Sequence, residues 1–88
     1  MRIELRGTLR VTLGADAVDL DVPAGGAPLS QVLAHLAEQH PRAGRGLAAT
    51  GTGPVLRTVH NDVMVEREED PLIREGDRLL LMVAMAGG

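Results

Sequence analysis

Residues 70–88 read DPLIREGDRLLLMVAMAGG, and the division of this stretch decides the fold. Pro71-Leu72 makes a corner and Gly76-Asp77 a turn, and a strand starts at about Arg78. In that strand Leu79, Leu81 and Val83 share one face, while Leu80 and Met82 share the other. After it come Ala84, Met85 and Ala86, then Gly87 and Gly88, with no charge and almost no bulk. The expected organisation is one domain over 1–83 and a flexible tail over 84–88.

Working outward, the N-terminal MRIELRG alternates, with Ile3 and Leu5 on one face and Arg2, Glu4 and Arg6 on the other, which predicts a strand. In TLRVTLGAD the alternation can run on through Leu9, Val11 and Leu13 before a turn at Gly14 and Asp16. AVDLDVP alternates again and stops at Pro23, so the first two strands read as a hairpin. The period then changes. Leu29, Val32, Leu33 and Leu36 stand at i, i+3, i+4 and i+7, a helical stripe over about 28–40 between Pro28 and Pro41. RAGRGLAATGTGP reads as a loop with one loose turn around Leu47, and VLRTVHNDVMVE as strand, turn, strand, with Asn61-Asp62 able to take positive φ. The order predicts an α+β fold: a mixed sheet of four to five strands grasping one main helix, its first and last strands side by side in the centre.

Composition narrows the function. The chain has 88 residues, enough for one small core, and 44% are apolar. It has no Phe, Tyr or Trp, so no base-stacking platform, and its net charge of -3 opposes phosphate-backbone binding; no nucleic-acid partner is expected. All nine basic residues are Arg, which removes Schiff-base lysine chemistry. Without Cys there is no disulfide, thiol nucleophile or thiolate metal site. The first residues carry no apolar signal-peptide core, and no stretch reaches the length of a membrane span; a cytoplasmic location without a membrane partner is expected.

Few side chains suggest chemistry. His35, His40 and His60 have neither Cys nor a spaced Glu beside them and read as surface or boundary residues; no metal is expected. Glu66, Glu68, Glu69 and Asp70 read as a solvated face, or a docking surface for a basic partner. PAGGAP and TGTGP lack phosphate-loop spacing and read as turns. Met64, Leu80 and Met82 point away from the helix by strand parity, an apolar patch open to a partner or simply an apolar face. The tail offers the most: Gly-Gly presents an α-carboxylate on a thin thread with no side chain to block a partner's channel. A carboxylate is a poor electrophile, so it must be activated by another protein, most simply as an acyl-adenylate made from ATP.

Taken together, LRGTLR…LGADAVDLDVP, APLSQVLAHLAEQHP, VHNDVMV and above all DPLIREGDRLLLMVAMAGG resemble the β-grasp sulfur-carrier family. That family includes the molybdopterin-synthase small subunit and the thiamine-pathway sulfur carrier, and is similar in plan to ubiquitin. The chain differs in an Asn-Asp rather than Asn-Gly turn, in lacking a Pro before the tail, and in having Met where docking residues are often aromatic. The resemblance implies a protein co-substrate or small synthase subunit rather than an enzyme, with no stably bound cofactor. An E1-like adenylating enzyme would activate Gly88 with ATP, and a persulfide or sulfide donor would displace AMP to leave a thiocarboxylate. A downstream sulfur-accepting synthase would then use it for molybdopterin, cysteine, thiamine, thiolated tRNA or a specialised metabolite. Gly88 would react and Gly87 give clearance, Ala84, Met85 and Ala86 would line the threaded tail, and Met64, Leu80 and Met82 would dock. Two alternatives stay open: a ubiquitin-like modifier conjugated through Gly88, and a plain β-grasp interaction module.

Overall fold

The computed structural model describes residues 1–43, 54–66 and 68–85. In chain order the elements are β1 (Arg2–Gly7), α1 (Thr8–Leu13), β2 (Ala17–Asp19), β3 (Ala27–Pro28), α2 (Leu29–Gln39), a short 3-10 turn (Pro41–Ala43), β4 (Pro54–His60), β5 (Val63–Met64), β6 (Leu72–Ile73) and β7 (Leu79–Met85). Five strands form a mixed sheet in the order β2-β1-β7-β4-β5, and β3 pairs with β6 in a second, two-stranded ladder. The predicted centre is therefore right: β1 and β7 run parallel, with Ile3 opposite Leu79 and Leu5 opposite Leu81. These four side chains are at most 2% exposed. They face α2, whose Leu29, Val32 and Leu36 are buried against them in one aliphatic cluster. The helical stripe read from the sequence is the stripe that packs.

The first strand does not run on through residues 8–13. That segment is α1, closed by Gly14 in the left-handed conformation, whose N–H bonds to the Arg10 and Val11 carbonyls. Leu9 and Leu13 lie four apart, a spacing that suits both a strand face and a helix face. Val11 separates the two, because only a helix turns it away from its neighbours; it is 80% exposed while Leu9 is 2% exposed. The break comes at Gly7, with φ 68 and ψ -146, where a Cβ would collide with the carbonyl oxygen of Val83. Thr8 follows immediately and donates its hydroxyl to that same oxygen at 2.9 Å. β1 and β2 do pair antiparallel as a hairpin would, with Ile3 opposite Val18, but a helix connects them.

α2 begins without a cap of its own. Pro28 stands at the N-cap, where a side chain would normally accept a free N–H of the first turn. The acceptors come instead from forty residues away: Leu29 N–H donates to the Pro71 carbonyl at 2.9 Å, and Ser30 N–H to Asp70 Oδ1 at 2.7 Å. The Ser30 hydroxyl donates to the second Asp70 oxygen at 2.7 Å. This hydroxyl bond first, and the N–H bond second, hold the Asp70 carboxyl below its ordinary range. Asp70-Pro71 is thus both the corner into β6 and the cap of α2. The expected loop after the helix falls largely on 44–53, outside the described residues.

The Gly7 contact generates a paired prediction. Gly7 and Gly14 share a left-handed φ, near 68 and 66, but nothing lies within 4 Å of a Cβ on Gly14. Gly14→Ala should lose about 1–2 kcal/mol from backbone strain alone. Gly7→Ala should lose clearly more in urea unfolding, with an unchanged m-value. Equal losses would show that Val83 yields freely and that the contact does not set the end of β1.

Candidate functional site: the open sheet face and the end of the last strand

The face of the sheet turned away from α2 is built by strand register. Glu4, Leu80, Val59 and Met64 lie side by side across β1, β7, β4 and β5. One row closer to the end of β7, Arg6, Met82 and Arg57 stand together across β1, β7 and β4. Met64 is 46% exposed, and Leu80 and Met82 are partly exposed. The three residues singled out in the sequence are thus brought onto one face. Val59, half-buried between Leu80 and Met64, completes the apolar lane. It was missed because parity along one strand does not say which side of β4 meets which side of β7; only the cross-strand register does.

Two turns latch one end of this face. In the β4–β5 hairpin Asn61 and Asp62 take φ 50 and 70, as expected of a tight hairpin. Asn61 N–H donates to the Arg78 carbonyl at 2.9 Å, and Arg78 N–H returns a bond to Asn61 Oδ1 at 2.8 Å. The Arg78 guanidinium pairs with Asp62. His60 Nε2 lies 2.8 Å from Asp77 Oδ2, which also accepts the Arg74 N–H at 2.9 Å. The His60 bond first, then the Arg74 N–H, hold the Asp77 carboxyl down to about 2. His60 is therefore a structural residue at a turn, and its partner lies 17 residues along the chain, too far for spacing to reveal. Between Arg2, Glu4, Val59, Leu80 and Arg78 the surface opens into a groove of about 290 Å³, at the lower limit of small-molecule pockets.

At the other end β7 outlasts β1. Their ladder stops at Gly7 and Val83, whereas β7 keeps pairing with β4 through Ala84 opposite Val55 and Met85 opposite Pro54. Strand pairing thus continues two residues past 83, the expected domain boundary. Ala86, Gly87 and Gly88 lie outside the described residues. The acidic run is divided: Asp70 caps α2, and Glu69 accepts the Glu66 N–H at 2.8 Å. Among the described residues no three His, Cys, Asp or Glu gather as a metal site, and no helix is long and apolar enough to cross a membrane.

A sheet order with parallel central strands, one grasped helix and a chain leaving from β7 is the ubiquitin-like β-grasp arrangement. Residues 3–88 match the ThiS family. The chain belongs to the ThiS family, a family of β-grasp sulfur carriers. Solved structures share its fold. SAMP1 from Haloferax volcanii superposes with a TM-score of 0.75 at 24% identity, covering 100% of this chain and 98% of that one. The putative molybdopterin converting factor, subunit 1, from Pyrococcus furiosus gives 0.69 at 16% identity, with 92% of each chain covered. The Haloferax volcanii HVO 2177 protein gives 0.72 at 22% identity, covering 100% of this chain and 87% of that one. No curated protein matches the chain.

The Asp77 latch carries a pH signature. A carboxyl whose folded pKa lies near 2, against an unfolded value of about 3.9, contributes stability that is complete above about pH 5. That contribution fades as the pH falls through 4 towards 2. Asp77→Asn should lower the melting temperature at pH 7 and flatten its decline on acidification. A variant that retains the full wild-type acid slope would place the slope elsewhere.

Proposed function

We propose that this ThiS family member is a sulfur carrier whose reacting group is the α-carboxylate of Gly88. One oxygen of that carboxylate attacks the α-phosphate of ATP in the site of an E1-like adenylating enzyme, forming the acyl-adenylate and releasing pyrophosphate. Sulfide then adds to the carbonyl carbon, AMP leaves with the bonding pair, and a thiocarboxylate remains. With a persulfide donor an acyl disulfide forms first, and a second thiol releases the thiocarboxylate. A downstream synthase takes the sulfur, and the carboxylate is regenerated for another cycle.

The observation that carries this reading is that the family match runs to residue 88, so the Gly87-Gly88 ending lies within the shared stretch. Among side chains, neither a Cys thiol nor a Lys amine competes with it, since the chain has neither residue. On this reading Met64, Leu80 and Met82 dock on the activating enzyme, and Ala84, Met85 and Ala86 form the root of the threaded segment. Ala84 and Ala86 leave the enzyme's channel free to close on backbone, and Gly87 gives clearance beside the reacting carbon.

The test is intact mass spectrometry after incubation with ATP, an E1-like enzyme and a sulfide or persulfide source. The expected result is a mass increase equal to oxygen replaced by sulfur, located by fragmentation on Gly88 and absent when Gly87 and Gly88 are deleted. An adduct joining Gly88 to an amine of another protein, without the sulfur shift, would favour the modifier reading. Full function of the deletion variant would leave only the plain interaction module.

A further inference from the structure

The apolar lane on the open face carries an unequal distribution of charge. The chain as a whole is acidic, with twelve carboxylate side chains against nine arginines. Yet the row that holds Met82 has arginine on both sides, Arg6 on β1 and Arg57 on β4. Two other surface arginines stand beside an acid of the same chain, Arg10 with Asp16 and Arg78 with Asp62, while Arg2, Arg42 and Arg74 have no ion pair among the described residues. Arg57 has no carboxylate within ion-pair distance among the described residues, and Arg6 reaches only Glu4, at 3.8 Å. Glu4 belongs to the neighbouring row, beside Leu80.

We infer that this face receives a protein partner with an apolar socket for Met82 and Leu80, rimmed by carboxylates on the side nearer the end of β7, which meet Arg6 and Arg57. The inference rests on the carrier reading and adds to it the chemistry of the enzyme's docking surface. Any body that covers Met82 also covers or borders the two guanidinium groups in its row. Removing an arginine from water without a counter-charge is expensive, so the cover must supply acceptors there. The planar guanidinium fork suits a carboxylate, with two parallel hydrogen bonds. A nucleic acid would meet the arginines but not the methionine-leucine lane between them, and the chain has no aromatic side chain on which to stack a base. Charge also sets orientation. An acidic chain approaching an acidic partner is repelled in most poses, and this face offers the attractive one. Because the arginines flank Met82, two residues before Ala84, the docked pose directs the end of β7 towards the enzyme.

The experiment uses the full chain and the E1-like enzyme that adenylates it, reading KM for the carrier and kcat by ATP–pyrophosphate exchange. Arg6→Glu and Arg57→Glu are expected to raise KM about tenfold or more with kcat little changed. Arg57→Lys, which keeps the charge but not the fork, should fall between wild type and the reversal, and Arg42→Glu on the 3-10 turn should stay near wild type. Added salt should raise the wild-type KM towards that of the reversals. All variants should melt with the wild type, since Arg6 and Arg57 are exposed. Unchanged KM in both reversals, or an equal loss in Arg42→Glu, would overturn the carboxylate rim and leave the carrier reading standing. A wild-type chain that is never adenylated would overturn the carrier reading itself. Wild-type self-association that Arg57→Glu abolishes would give the face to a second copy and overturn the proposal.

Discussion

The parallel pairing of β1 with β7 is the constraint on which everything else depends. The two strands lie at opposite ends of the chain, and nothing short can connect parallel neighbours. Every element between them must therefore be laid over the sheet or along its edges, which is how α2 comes to cover one face. Ile3, Leu5, Leu79 and Leu81 make this pairing the driest part of the molecule. The core is aliphatic throughout. Without a large aromatic to fill space, it depends on close interlocking of branched side chains, and each small cavity matters more.

The same pairing limits which side chains the body of the sheet can present to a partner. Central strands expose side chains only on the face that α2 leaves open, and there the register sets methionine, leucine, valine and arginine beside Glu4. The polar clusters that do form are latches. Asp70 caps α2, and His60 with Asp77 fastens one turn against another. These groups hold the sheet and its hairpin in register, so that the open face and the direction of β7 are set by a rigid frame. After β7 the sequence continues with Ala86, Gly87 and Gly88.

Much of this frame was legible from local pattern. The α2 stripe is readable because a period of 3.6 is tested four times between residues 29 and 36. Residues 8–13 were not, since Leu9 and Leu13 satisfy both periods and the segment is too short for a third test. Gly7 held the decisive signal, but its meaning lies in the Val83 carbonyl, 76 residues away in sequence. Separation along the chain, here 40 residues, likewise hid Asp70 as a helix cap. Pro28 has no side-chain acceptor for the first turn of α2, and what replaces it is not a local matter.

By itself the sequence determined the alternation of strand and helix periods, the aliphatic character of the core, the absence of Cys and Lys, and the Gly87-Gly88 pair. These are properties of residue identity and short spacing, which no later packing can alter. Tertiary structure alone decided that Val59 joins Met64 and Leu80, that Arg6 and Arg57 flank Met82, and that β7 extends beyond β1. Each of these follows from cross-strand register, a relation between distant segments. A shift of one residue in that register would send every one of those side chains to the opposite face.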